Sequence, residues 1–296
     1  PKPSSAASDV YKRQSLGYIM DSSTIWSEIA SLDPGATMKF TSNSLGVIEE
    51  RCALETRSNI SIENKSTREL LENAVETRVQ GHSSVAISLS GGVDSSIIAS
   101  SASKSGIETF AYSLYWEDSD KERYNSDFEA AKVIASRIGI PLIGVNFGVA
   151  SGINNRIREY VRFLEEPNAN PSGLSMVELY RTISRDGHRL VLTGDGSDET
   201  FGGYPRYKSR LTRSGLRPIS SNMFKHLSRF LNEESETKSN IRKVLLAFTE
   251  VTSAEYWSNF HSIFGNHEIA RLTCSSYSPD EISKLLNKKL PCLKLS

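Results

Sequence analysis

Two short segments hold most of the residues that could do chemistry. The first is Ser90-Gly91-Gly92-Val93-Asp94-Ser95-Ser96. Its two glycines let the backbone turn sharply and come close to a ligand. Successive backbone N–H groups at a helix start form an anion nest, and the helix dipole favours negative charge there. The hydroxyls of Ser90, Ser95 and Ser96 can donate to phosphate oxygens. Asp94 repels phosphate unless a cation such as Mg²⁺ lies between them. The segment lacks the Lys of GxxxxGK[ST] and does not fit GxGxxG, so it is neither a Walker A loop nor a dinucleotide fingerprint. The competing reading is a Gly-rich turn in which Asp94 and Ser95 cap a helix. The second segment is LTGDGSDETFGGY, residues 192–204, with Asp195, Asp198 and Glu199 inside five residues. Carboxylates crowded in this way repel one another unless a cation or a cationic ligand joins them. Mg²⁺ binds through one or two carboxylates plus phosphate oxygens. An amine nucleophile, or the ammonium of an amino acid, would also serve. The competing reading is a solvated acidic turn, which the four glycines of the stretch make a poorer fit.

Strands and helices alternate around both segments. Ser66-x-x-Glu69 is a capping-box pattern, followed by Leu70, Leu71, Ala74, Val75 and Val79 at helical spacing. Residues 85–89, VAISL, form an apolar run of strand length directly before the first segment, and a helix is expected after it to about Gly106. Further strands are expected at 109–115, 141–147 and 189–193, the last leading into the acidic segment. Helices are expected from a Ser126-x-x-Glu129 cap to Gly139 and around 152–164 and 174–186. Alternation of this kind predicts βαβ units and a mostly parallel sheet, whose ligands sit beyond the carboxyl ends of its strands. Both chemical segments occupy that position. From about 205 onward the pattern is helical and more polar. His188, beside a strand start, reads as structural.

Composition narrows the class. The chain has 296 residues, 35 Lys+Arg against 35 Asp+Glu and a hydrophobic fraction of 38%, which suits a globular protein. At ~100–200 residues per domain, that length allows one or two domains. Balanced charge provides no basic field for nucleic acid or an anionic membrane, and no apolar run approaches the ~20 residues of a membrane span. Cys52, Cys274 and Cys292 are odd in number and in no CxxC pairing, which points to a reducing compartment, the cytoplasm, rather than a disulfide framework.

The first segment resembles the SGGxDS signature of PP-loop ATP pyrophosphatases. The second, GDGSDETFGGYPRY, is similar to the G[ED]G[SG]DExFGGY motif of glutamine-dependent asparagine synthetases. YNSDFEAAKVIASRIGIPL and FLEEPNANPSGLS between them are also similar to that family, so the resemblance covers 66–208. It implies a PP-loop α/β fold with a helical C-terminal extension. It also implies ATP with its pyrophosphate in the Ser90–Ser96 loop, and Mg²⁺ held by Asp94 and Asp198. Ser88, Tyr112, Thr193 and Gly194 would contact the adenosine, with Gly91 and Gly92 in the phosphate nest. Asp195 and Glu199 would hold a substrate ammonium or handle the nucleophile's proton. Asp195 stands where the motif more often has Glu. The implied reaction is aspartate, ATP and glutamine-derived ammonia to asparagine, AMP and pyrophosphate. A relative acting on another carboxylate and a noncatalytic nucleotide-binding piece are the competing readings. The implied partners are small molecules, and the implied assembly is a homodimer of the full-length protein.

The expected organisation follows. Residues 1–14 have no periodicity, and DVYKRQ resembles translated sequencing adapter, so the stretch is expected to be non-native. Residues 15–50 resemble the tail of the family's Ntn glutaminase domain, including its LxPG turn. The polar Ser/Asn-rich stretch from 41 to 65 reads as linker, assigned most firmly over 51–65. Residues 66–296 are expected to be a C-terminally incomplete synthetase domain. The family's KxDRxSM…ExRxPFLD segment and later catalytic Lys have no counterpart in 209–296, and its N-terminal glutaminase Cys has none at Pro1.

Overall fold

The computed structural model describes residues 65–204 apart from 118–124, 149–152, 167, 169 and 171, together with residues 19, 24–26, 28–32, 36–41 and 44–50. The expectations for 1–14, for most of the linker and for the helical region after 204 lie outside the described residues. Two compact units divide what is described: residues 24–50 and 165–168 belong to one, and 65–164 and 170–204 to the other.

The first unit contains an antiparallel hairpin of β1 (Ala36–Thr41) and β2 (Ser44–Glu50). Ala36 lies opposite Glu50, and the register slips between Lys39 and Thr41. The polar stretch after 41 thus opens with a strand rather than a linker. Its Ser/Asn content hid a VIEE segment whose ladder partner, not its composition, makes it extended.

The second unit is built on a four-stranded parallel sheet. Its helices and strands run α1 (Thr67–Val79), β3 (Ser84–Ser88), α2 (Val93–Lys104), β4 (Glu108–Tyr115), α3 (Ser126–Ile138) and β5 (Leu142–Asn146). They continue through α4 (Ile153–Leu164), α5 (Ser172–Arg185), β6 (Val191–Leu192) and α6 (Ser197–Phe201). The sheet order is β5-β4-β3-β6. β3 is an inner strand, with Ser88 beside Tyr112 on one side and Ile87 beside Leu192 on the other. Val85, Ala86 and Ile87 have no exposed surface, as expected of a strand covered on both faces. The side-chain period of two sends Val85 and Ile87 to one face and Ala86 to the other. On the first face they meet Val75 and Val79 of α1, Ala99 and Ala102 of α2, and Ala131 and Ala135 of α3. On the second, Ala86, Tyr112 and Val145 meet Leu179 and Ile183 of α5. Alanines on α2 and α3 keep those helices close to the sheet.

Local signals held unevenly. Ser66 caps α1 with the full reciprocal box: its Oγ accepts from the Glu69 N–H at 3.3 Å, and its own N–H donates to Glu69 Oε2 at 2.6 Å. The same spacing at Ser126 does not cap α3. The helix begins at Ser126, so the cap position falls on Asn125, whose side chain is committed elsewhere. Asn125 Oδ1 accepts from the Trp116 N–H and its Nδ2 donates to the Trp116 carbonyl, both at 2.8 Å. β6 is shorter than the expected 189–193 strand. Among the described residues no helix is long and apolar enough to cross a membrane.

Candidate active site

β3 and β6 are neighbours, so loops about a hundred residues apart in sequence leave the same edge of the sheet side by side. The β3 loop runs into α2, a helix of 12 residues with Gly92 at its N-cap. The Ser96 N–H closes the first turn onto the Gly92 carbonyl at 3.1 Å. The N–H groups before it have no place in the helix ladder and point out of the helix end, toward any anion there.

Glycines bring the pieces together. Gly91 has φ +77°, and a Cβ on it would lie 2.5 Å from Ala130 Cβ and 2.7 Å from the Ala131 nitrogen, so the loop rests directly on α3. A Cβ on Gly194 would lie 2.8 Å from the Ser95 nitrogen and 3.0 Å from Asp94 Cβ. The β6 loop thus lies against the first turn of α2, which sets the two chemical segments edge to edge.

Between them is a cleft of about 400 Å³. It is lined by Ser88, Ser90, Gly92, Asp94 and Ser95 from the β3 side and by Thr193, Gly194, Asp195, Gly196, Asp198, Glu199 and Tyr204 from the β6 side. Met176 of α5 completes the lining. Of the expected site residues, Gly91, Ser96 and Tyr112 do not line it. Gly91 faces α3. The Ser96 hydroxyl donates back to the Gly92 carbonyl at 2.6 Å. Tyr112 lies in the core: the residue is 1% exposed, and its hydroxyl donates to Asp186 Oδ2 at 2.8 Å. Burial, and then the Asp186 carboxylate, push that hydroxyl's pKa well up. The Tyr112 carbonyl is also taken, by the Leu89 N–H at 2.9 Å. Met176 was not anticipated. Its signal was only helical spacing, which a core residue shares.

The polar groups of the cleft divide into two sets. Ser95 is buried, and its Oγ lies 3.1 Å from Ser90 Oγ and 3.3 Å from both the Ser90 N–H and the Gly92 carbonyl. It braces the loop, while Ser90 stays exposed at the mouth. The other set is four carboxylates, Asp94 in the first turn of α2 and three on the β6 loop across from it. Asp94 and Asp198 are half-buried; Asp195 and Glu199 are exposed. Glu199 accepts from the Tyr204 hydroxyl at 2.9 Å. No Lys, Arg or His is among the described residues that line it. A helix N-terminus with hydroxyls calls for an anion, and uncompensated carboxylates call for a cation. Among the described residues no three His, Cys, Asp or Glu converge into a protein-only metal cage. That donor set fits Mg²⁺, which takes one or two carboxylates and fills its other positions from phosphate and water.

A parallel sheet that delivers an SGG-x-D-S loop from an inner strand, with an acidic loop beside it, defines an α/β domain of the PP-loop type. The asparagine synthase family model matches residues 66–280, and the chain belongs to that family. A putative asparagine synthetase [glutamine-hydrolyzing] of Mycobacterium bovis is 25% identical over 261 residues, 84% of this chain. Amidase chry2 of Gibberella zeae is 28% identical over 171 residues, covering 54% of this chain and 25% of that protein. The chain spans 38% of the length of the mycobacterial relative. The solved structure of an NMN synthetase from Francisella tularensis overlaps 77% of this chain and 96% of its own at 15% identity, with a TM-score of 0.33, too loose to add to the topology.

Proposed function

We propose that this chain carries the carboxylate-activating centre of an ATP-dependent, amide-forming ligase of the asparagine synthase (glutamine-hydrolysing) type. The observation that carries the reading is the cleft itself, where a helix start that carries Asp94 faces three more carboxylates, with no cationic side chain among the described lining residues. ATP would lie with its phosphates at the α2 N-terminus and Ser90, and Asp94 and Asp198 would hold Mg²⁺. When bound, Mg²⁺ supplies neutralisation of the charge that builds on the phosphates. The α2 N–H groups and the Ser90 hydroxyl orient the phosphate chain for in-line attack. A substrate carboxylate oxygen attacks the α-phosphorus, the α–β bridging bond breaks, and pyrophosphate leaves. Ammonia then attacks the acyl carbon, AMP departs with the bonding pair, and the nitrogen sheds a proton. The exposed Asp195 and Glu199 would hold a substrate ammonium or receive that proton. The substrates of this reading are aspartate, ATP and glutamine-derived ammonia, handled in the cytoplasm by a homodimer of the full-length protein.

A second reading keeps the chemistry and changes the acid. Asp195 shortens by one methylene the Glu more common at its position, and the chain is also similar to a protein described as an amidase. Exchange of labelled pyrophosphate into ATP, run on the full-length protein with aspartate and a panel of other carboxylates, separates the two. Asp94→Ala is expected to abolish acid-dependent exchange. Unchanged exchange would sink the phosphate-loop assignment, and ATP binding without exchange under any acid would leave a noncatalytic nucleotide-binding module.

A further inference from the structure

The turn that closes α6 touches Asp198 from two directions. The N–H groups of Gly202 and Gly203 both donate to the Asp198 carbonyl, the latter at 3.0 Å, and Gly202 ends the helix at φ +69°. The same turn brings Gly203 under the Asp198 side chain. A Cβ on Gly203 would fall on Asp198 Oδ1, and it would lie 3.0 Å from Asp198 Cγ and 3.3 Å from its Cα. Gly203 is outside the left-handed region, unlike Gly202, so its backbone accepts any residue. The requirement for glycine at 203 is therefore one of space alone, and the space is filled by a carboxylate oxygen.

We infer that Gly203 is a positioning residue for Asp198: its missing side chain is what lets the Asp198 carboxylate lie over the turn in the orientation it has in the cleft. The inference rests on the reading of Asp198 as a cation ligand. A methyl at 203 would occupy the place of Oδ1 and crowd Cγ, so the carboxylate would have to turn away from the orientation it has in the cleft. The donor is then lost from the cleft although Asp198 is intact.

The test uses the full-length protein with Mn²⁺ as probe and α,β-methylene ATP as a nucleotide that cannot be cleaved at the reacting bond. Mn²⁺ binding is read from the free-ion paramagnetic signal. Gly203→Ala is expected to weaken Mn²⁺ binding by about 10-fold or more, the usual range for groups that orient a metal's ligands. Asp198→Ala is expected to do at least as much. The double variant should bind no more weakly than Asp198→Ala alone, because Gly203→Ala acts only through the carboxylate. Melting temperatures in metal-free buffer give an independent readout. Gly203→Ala should melt lower than wild type, and adding Asp198→Ala should restore the loss by vacating the space. Should Gly203→Ala fail to fold, rescue by Asp198→Ala supports the inference, and failure of rescue overturns it. Wild-type Mn²⁺ affinity in Gly203→Ala, or effects that add in the double variant, would also overturn it. Absence of nucleotide-dependent Mn²⁺ binding in the wild type would remove the cation reading and this inference with it.

Discussion

Tyr112 shows how far a residue's surroundings can change its role. It stands in the middle of β4, in register with Ser88 of the cleft, yet its ring is packed against α5 and its hydroxyl is spent on Asp186. Tyr112→Phe should therefore cost about 1 kcal/mol of stability, the net value of one such hydrogen bond, and should leave nucleotide binding unchanged. Its pH dependence has a definite sign. The hydroxyl's pKa is raised above its ordinary 10.0, by burial first and Asp186 second. The stability it confers is complete below pH 10 and is lost as pH rises beyond that toward the folded value. The deficit of Tyr112→Phe should thus narrow between pH 8 and pH 10.5 in urea unfolding. A constant deficit would show that the hydroxyl does not titrate with folding. Among the carboxylates, exposure separates residues of one type: Asp94 and Asp198 are half-buried, whereas Asp195 and Glu199 are exposed. Asp198→Asn should raise the Mg²⁺ concentration needed for half-maximal pyrophosphate exchange about 10-fold or more. An unaltered requirement would remove Asp198 as a ligand.

At the scale of elements, two look-alike signals came apart. Ser66-x-x-Glu69 and Ser126-x-x-Glu129 are the same pattern, but only the first forms a capping box. Asn125 is held by the Trp116 backbone across the sheet edge, and that contact sets where α3 starts. Ser66→Ala should accordingly lower the thermal unfolding midpoint at neutral pH, while Ser126→Ala should leave it nearly unchanged. The hydrogen bonds from Ser66 hold the Glu69 carboxyl below its ordinary 4.5. That contribution is present above pH 4.5 and is lost as pH falls through the folded value. The difference between wild type and Ser66→Ala should shrink on acidification to about pH 3, and a difference independent of pH would exclude the reciprocal box. The loop glycines belong to this scale too. Gly91 is needed both for its left-handed φ and because α3 leaves no room for a Cβ, so Gly91→Ala combines backbone strain with overpacking and should cost roughly 1–3 kcal/mol.

At the scale of the molecule, the strand order makes the site. With β6 beside β3, the acidic loop and the β3 loop meet; at the outer edge of β5 the same loop would be separated from β3 by two strands. Because the cleft belongs to a domain that folds around it, a ligand that binds there should stabilise the whole domain. Mg·ATP at 100 times its Kd should add about 2.7 kcal/mol to unfolding stability, read as a rise in melting temperature that Asp94→Ala abolishes. No shift in the wild type would argue against a nucleotide site. Much of this was legible in the residues. The alternation of apolar runs with helical spacing gives the βαβ order, because burial on both faces demands a continuous VAI and an amphipathic helix demands a repeat near 3.6. The two motifs point to an anion and a cation, although a Gly-rich capping turn and a solvated acidic turn would use the same residue types. What only tertiary contacts decided was which of these residues share a space. Met176 of α5 entered the cleft, Tyr112 was held in the core by α5 and Asp186, and Gly194 came to rest on the first turn of α2. Each of those outcomes depends on an atom far away in the chain or on a gap a few ångströms wide, and local spacing carries no record of either.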